Sequence, residues 1–392
     1  MKGCLEYRGK GKDGVDRWRL VVTLGRDSEG TIIQEKRKFA GQKSDADTAL
    51  AAFLTEVRGV DYVRPQALTV ETFLNQWLVD YAKDRVAGTT YQRYKQLIDI
   101  NVIPHIGSLK VQEARAIHFE KLYKKLMKDG GRSDGKEGGL SGTTVLQIHR
   151  VLKMAFGLKG AVKWGIIAKN PLELVDAPTK ENQDIQVLDE VQVVKMLEAA
   201  QTGDKWFYTL ILLAVTSGLR RGELLGLRWQ DVDFTNNIIR VNRSLQYIKK
   251  EGKSLKDPKT KGSKREVYMP ADVMDELKAY KNNQAVVTMK DGLVFSNFQG
   301  LPMSPDNVSH RFAKFMTEIG FPGVHLHSLR HSCASILFVK GESAKGISEK
   351  LGHSTVQFTQ DIYTTIFKSV KKQASEKMAG MVPTQKKAAG EN

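Results

Sequence analysis

The chain has little cysteine: Cys4 and Cys333 are the only two in 392 residues. They are too few and too far apart to staple a small domain, so a disulfide scaffold is excluded and a reducing compartment fits. Long apolar runs are also missing. The longest, Leu210 to Val215, falls far short of the roughly 20 residues that span a bilayer, and the N-terminus has no apolar signal segment. An intracellular soluble protein is expected. No G-x-x-x-x-G-K-S/T phosphate loop occurs, Cys and His do not fall at zinc spacing, and no acidic cluster of the two-metal kind is present. The chain therefore predicts no cofactor and no metal. No repeat of roughly 20 to 50 residues is found.

What the chain does have is positive charge. Lys and Arg number 61 against 44 Asp and Glu, a formal net charge of +17. Such a surplus on a folded chain points to a polyanionic partner, because Lys and Arg contacts to phosphates release counterions. A basic surface serving solubility is the plain alternative. A hydrophobic fraction of 41% supports folded cores rather than wholesale disorder, and the length predicts two or three domains at roughly 150 residues each.

Residues 1–62 have strand texture: Arg17 to Val22, a polar turn at 27–30, then Thr31 to Phe39. After Ser44, Ala49, Ala52, Phe53 and Val57 are spaced as a capped amphipathic helix. Three strands plus one helix, a small α+β domain, is expected. Its basic strand residues Arg17, Arg19, Lys36, Arg37 and Lys38 are candidates to line a DNA-reading sheet, the alternative being an ordinary solvated face. Residues 60–68 read as a linker containing Pro65. Residues 68–178 read as an all-α domain, with Val70, Phe73, Leu74, Trp77, Leu78 and Tyr81 on one face and further helices near 89–102, 116–127 and 141–164. A polar glycine-rich loop lies at 129–139. After a charged linker at 178–186, a third domain spans 187–382, mainly α with some β. Helices are expected at 189–200 and 205–218, strands at 238–245 and 266–269, and more helices to about Val370. A frayed tail follows at 383–392.

Three strings in the third domain place charge where apolar helices break. In Thr216-Ser217-Gly218-Leu219-Arg220-Arg221-Gly222-Glu223, Gly218 ends one helix and Glu223 falls in the first turn of the next, where the helix dipole favours a carboxylate. A helix-end ion pair is the bland reading. In His327-Ser328-Leu329-Arg330-His331, His327 and Arg330 share a helical face, and imidazole beside guanidinium suits the oxygens of a phosphate. A satisfied structural cluster is the alternative. Leu351-Gly352-His353 is followed ten residues after His353 by Tyr363, which alone would read as core or surface.

Arg, His, Arg, His and Tyr in this order resemble the tyrosine recombinase (phage integrase) family. All three family strings are intact across about 190 residues of the third domain. The upstream order is similar to integrases that carry an arm-binding sheet domain and a helical core-binding domain. The resemblance implies catalytic roles for Arg220, His327, Arg330 and His353, with Tyr363 as nucleophile. Arg221 competes with Arg220, although the Gly218-Leu219 spacing favours Arg220. It also implies a hairpin lysine: Lys259 fits best, with Lys256, Lys261 and Lys264 as near alternatives.

The chemistry is consistent with these residue types. A phenol of pKa about 10 is a weak nucleophile at neutral pH, so attack on a phosphodiester needs a base and cations around the charged transition state. The resemblance implies that Arg220 and Arg330 clamp phosphate oxygens, His327 shares the phenolic proton, and His353 hydrogen-bonds a phosphate oxygen. Lys259 would protonate the 5′-hydroxyl leaving group. It further implies a 3′-phosphotyrosyl DNA intermediate, rejoining without ATP, double-stranded core and arm attachment sites as partners, and a homotetramer on DNA through a tail helix near 369–379. An accessory bending or directionality factor and a bacterial host cytoplasm, at the nucleoid, are expected. Two other readings stay open: a DNA-binding regulator using 343–364 as a helix-turn-helix, and a type IB topoisomerase.

Overall fold

The computed structural model describes residues 1–26, 29–59, 61–128, 137–180, 186–248, 252–256, 264–284 and 292–352. The chain divides into two compact units, Met1–Glu181 and Asn182–Asn392.

The first unit opens with an antiparallel meander, β1 (Lys2–Lys10), β2 (Asp16–Arg26) and β3 (Ile32–Ala40), in the order β1-β2-β3, followed by α1 (Lys43–Arg58). Strand alternation sorts its residues. Leu20 and Val22 join Ala46, Phe53 and Val57 of α1 in one small core. Arg19 is registered with Glu6 and Lys38, and Val21 with Cys4 and Lys36, so these residues occupy the opposite face. The strand Lys2–Lys10 was not located by sequence pattern. The helix starts at Lys43 after Gln42, whose side chain makes no cap bond, so the expected cap is missing.

The helices α2 (Val70–Trp77), α3 (Lys83–Arg85), α4 (Gly88–Asn101), α5 (Ile103–Ile106), α6 (Ala116–Met127) and α7 (Gly142–Phe156) follow, with a π turn at Leu78–Ala82. Phe73, Trp77, Phe119 and Phe156 are fully enclosed in their shared core. The stretch expected to stay helical to residue 164 stops at Phe156. Gly157 is extended, and Gly160 lies so close to the chain that a Cβ would collide with the Ala155 carbonyl oxygen and fall 2.9 Å from the Trp77 ring. Trp77 Nε1 donates to Lys159 O at 2.9 Å and ties this turn down.

The second unit contains α8 (Glu190–Gln201), α9 (Lys205–Ser217), α10 (Arg221–Leu225), β4 (Val232–Asp233), β5 (Ile238–Val241), β6 (Ser244–Ile248), β7 (Gly252–Lys256), β8 (Arg265–Tyr268), α11 (Ala271–Asn283), α12 (Pro305–Glu318), α13 (Leu326–Val339) and α14 (Ala344–Leu351). Residues Phe207 to Val215 of α9 are all buried, the mark of a helix surrounded by others. Helices α8, α11 and α13 pack on it. The expected strand at 238–245 is two strands in different sheets: β5 joins β4 and β8, while β6 pairs with β7. Asn242, at the break, donates to Asp231 Oδ1 at 2.8 Å. Among the described residues no helix is long and apolar enough to cross a membrane.

Candidate active site

The centre of the site is a junction of two helix ends. Helix α9 closes on Gly218 in the left-handed conformation (φ 64°), and α14 closes on Gly352 in the same way (φ 66°). The ends meet so closely that a Cβ on Gly218 would lie 2.2 Å from Leu351 Cδ2. Their carbonyls, unpaired within the helices, point at arginines. Arg330, in the first half of α13 and only 2% exposed, donates from Nη1 to Gly218 O at 2.6 Å and from Nη2 to Leu351 O at 2.7 Å. Arg220, the residue capping α10, donates from Nη2 to Gly352 O at 2.9 Å.

Glu223 holds Arg220 from the other side. Its Oε1 accepts from Arg220 Nη1 at 2.8 Å and its Oε2 from the Arg220 backbone N at 3.0 Å. The carboxylate is buried, yet a second cation is on it. Arg265, the first residue of β8, donates from Nη2 to Oε2 at 2.9 Å and from Nη1 to Oε1 at 3.4 Å. Burial alone would raise the Glu223 pKa, but the bonds and charge of Arg265, then those of Arg220, bring it below the ordinary carboxylate value. Arg265 Nε also donates to Lys350 O at 2.8 Å. No sequence pattern singled out Arg265. Its signal was Glu223 itself, because a carboxylate in a buried helix turn needs a neutralising partner.

Burial, with the charges of Arg220 and Arg265, pulls the Arg330 guanidinium down to about 9, so it stays cationic at neutral pH. His327 lies exposed at the rim, its ring edge-on to His331 at 4.9 Å between centroids. Desolvation, followed by the Arg330 and Arg220 charges, lowers its pKa, leaving a neutral imidazole able to accept a proton. His331 is buried and pushed down to about 4 by desolvation and then by His327 and Arg330. Cys333 lies beneath, its Sγ 3.7 Å from Thr216 O, and burial raises its thiol to about 11, which makes it inert packing.

Three of the expected catalytic residues, Arg220, His327 and Arg330, are therefore brought together by residues far apart in sequence. Arg221 points elsewhere: its Nη1 donates to Ser309 Oγ at 2.7 Å and Pro305 O at 3.0 Å on α12. Lys259, His353 and Tyr363, with the tail helix near 369–379, lie outside the described residues. No group of three or more metal-binding side chains occurs among the described residues.

In the sheet domain, Arg17, Arg19, Lys36 and Lys38 share the face away from α1, with Arg17 paired to Asp13 at 2.6 Å and Arg19 to Glu6 at 3.5 Å. Arg37 does not belong with them. It is registered with Leu20 on the helix side, binds Glu56 through both Nη atoms at 3.0 Å and covers the Phe53 ring at 4.2 Å.

Comparison with known proteins agrees with this arrangement. Residues 186–369 match the family model described as "Phage integrase family", and residues 69–127 match "Phage integrase, N-terminal SAM-like domain". A tyrosine recombinase XerC-like protein of Caldanaerobacter subterraneus subsp. tengcongensis is 29% identical over 93% of this chain and 96% of its own length. The fold is shared with the Tn1549 transposon integrase in complex with transposon right end DNA (22% identity, TM-score 0.66, 78% of this chain and 100% of that one). It is also shared with the lambda integrase tetramer bound to a Holliday junction (17% identity, TM-score 0.55, 88% and 95%). With both family models matching in order and the arginine junction in place, the chain belongs to the tyrosine recombinase (phage integrase) family.

Proposed function

We propose that this chain is the integrase of a phage or other mobile element, a site-specific recombinase that cleaves and rejoins DNA strands through a 3′-phosphotyrosyl intermediate and both integrates and excises its element. The observation that carries this reading is the arginine junction. Arg220 and Arg330, 110 residues apart in sequence, are both held by the carbonyls of two abutting helix ends, with the neutral His327 beside them. A preorganised pair of guanidinium groups suits the non-bridging oxygens of a scissile phosphate, and its geometry is set before the substrate arrives.

In this mechanism the Tyr363 oxygen attacks phosphorus as its proton passes to His327. Arg220 and Arg330, with His353, balance the charge that develops on the phosphoryl oxygens. Lys259 gives a proton to the departing 5′-oxygen. The phosphotyrosyl ester preserves the bond energy of the phosphodiester, so a 5′-hydroxyl of the partner strand reverses the step. We assign residues 1–62 to arm-site binding, with Arg17, Arg19, Lys36 and Lys38 but not Arg37 facing DNA. Residues 68–178 are assigned to core-site binding, and 187–382 to catalysis. The working assembly is a homotetramer on DNA in a bacterial cytoplasm, at the nucleoid, with direction set by an accessory bending or excision factor.

The test is to incubate the protein with attachment-site DNA nicked just beyond the cut, so that the released fragment diffuses away, then digest and find the nucleotide-bearing peptide by mass spectrometry. An adduct on Tyr363, lost in Tyr363→Phe while DNA binding persists, is the expected result. Recombination by Tyr363→Phe at the native rate would overturn the assignment.

A further inference from the structure

We propose that Arg265 is a positioning residue for DNA cleavage, one that holds Arg220 and the Leu351-Gly352 turn in register with each other; this rests on the recombinase reading above. Among the described residues the site contains one buried carboxylate, Glu223, and two arginines share it. Without Arg265, Glu223 would face Arg220 alone and cancel the charge that Arg220 is to present to the phosphate. With Arg265 in place, Arg220, Arg265 and Arg330 stand against one carboxylate and the junction keeps an excess of positive charge. The two cations are disposed differently. Arg265 spends both Nη atoms on Glu223 and its Nε on Lys350 O at 7% side-chain exposure, whereas Arg220 keeps 39%, so Arg265 is the arginine committed to the counterion.

Arg265 also reaches across the site mechanically. Its Nε grips Lys350 O, and Lys350 Nζ in turn donates to Tyr268 O at 3.1 Å, so β8 and the end of α14 are laced together twice. A Cβ on Gly352 would lie 2.9 Å from Arg265 Cδ and Nη1, which means the turn leading to His353 is packed directly on this side chain. Six residues upstream of Arg265 in sequence is Lys259. One guanidinium thus touches or adjoins three segments that carry family strings. A planar fork can bind both carboxylate oxygens and a carbonyl at once, and an ammonium cannot.

The test uses the full chain and single-turnover cleavage of nicked attachment-site DNA, with DNA affinity and melting temperature measured in parallel. Arg265→Met should cleave at least about 100-fold more slowly, as when a preorganised donor is lost, and Arg265→Lys should recover only part of that. DNA affinity should stay within about threefold, because the side chain is buried against Glu223 and Lys350 O. A second substrate carries a neutral methylphosphonate at the cut site. It needs less cationic stabilisation, so if Arg265 acts by drawing Glu223 off Arg220 and keeping Arg220 aimed, the defect there should shrink below about tenfold. A purely structural role would slow both substrates alike. Should Arg265→Met fail to fold because Glu223 is left unpaired, Glu223→Gln/Arg265→Met removes both charges; with no carboxylate left to cancel Arg220, its phosphodiester defect should fall below about tenfold, and a folded pair still slowed about 100-fold would overturn the electrostatic role. The inference is likewise overturned by a folded Arg265→Met that cleaves phosphodiester at near the native rate, or by equal defects of Arg265→Met on the two substrates. If the unaltered protein forms no Tyr363 adduct, the recombinase reading fails instead.

Discussion

The abutting helix ends make Gly218→Ala an informative perturbation. At φ 64° an alanine costs about 1–2 kcal/mol relative to glycine, whatever surrounds it. Its methyl would also sit 2.2 Å from Leu351 Cδ2 and 3.4 Å from Cys333 Sγ. Leu351 is fully buried among Cys333, Ala334 and Ile347, so it yields only by moving the end of α14. Overpacking of that kind adds about 1–3 kcal/mol, for a total of about 2–5 kcal/mol. The catalytic unit alone is affected, so the readout is native-state hydrogen exchange of α9 and α13 amides rather than a global melt. Because Gly218 O is an acceptor for Arg330 and Leu351 O is the other, strand cleavage should fall with it, by about tenfold or more at unchanged DNA affinity. A double-mutant cycle isolates the clash. Leu351→Ala alone leaves a cavity and costs about 2–5 kcal/mol, but on the Gly218→Ala background it relieves the overpacking, so the pair should fall short of additivity by about 1–3 kcal/mol. Additivity to within about 0.5 kcal/mol, or a Gly218→Ala loss below about 1 kcal/mol, would refute the picture of two helix ends in direct contact.

Three further outcomes are expected. His331, held at about 4 against an ordinary 6.5, is neutral in the fold, so the unfolded chain takes up the proton first and stability falls as pH drops from about 6.5 to 4. The slope is at most about 1.4 kcal/mol per pH unit, and partial hydration of the site screens the full loss to less than about 3 kcal/mol. His331→Gln should flatten the acid limb of a stability profile, and an unchanged limb would place the titration elsewhere. In arm-site binding, Lys36→Ala and Lys38→Ala should each reduce the slope of log affinity against log salt by about 0.9, whereas Arg37→Ala, already committed to Glu56, should leave it unaltered. An equal effect of Arg37→Ala would put the helix side of the sheet on DNA. Lys259→Ala should slow cleavage more than Lys264→Ala, and a substrate with a 5′-thiol leaving group, which needs no proton, should abolish the difference. Equal or reversed effects would move the general acid to another hairpin lysine.

How much of this was legible in the sequence depended on the range of the interaction involved. The junction strings were readable because each is local: Gly218 before Arg220, His327 three before Arg330, and Gly352 before His353 each fix a cap or a helical face within a few residues. The order of sheet, helices and mixed α/β unit was readable for the same reason, through period-2 and period-3.6 patterns. Failures arose where a distant partner decides. Parity along β3 separates Arg37 from Lys36 and Lys38, but the partner that makes the difference is Glu56 on α1. Apolar texture continues past Phe156 through Ala161 and Trp164, and only the Trp77 ring, 82 residues before the carbonyl it binds, explains why the chain must turn there. Lys2–Lys10 has no β-branched residue, and it becomes a strand because β2 offers it an edge and Trp18 packs at a tilt against Tyr7 with 5.0 Å between ring centroids.

Arg265 is the most instructive of these cases. Its 42-residue separation from Glu223 hides it from any local pattern, yet the string Arg220-x-x-Glu223 already implies a third charge. A carboxylate that caps its own helix and binds the capping arginine is electrically spent on a group meant for phosphate. If that arginine is to remain attractive to an anion, another cation must share the carboxylate from the protein side, on an element rigid enough to hold a fork in place. The first residue of a strand paired to β5 meets that requirement. The same reasoning applies to any motif that sets an acid beside the cation it needs for catalysis: the acid's second partner is part of the site, and it is found by asking what else shares the carboxylate.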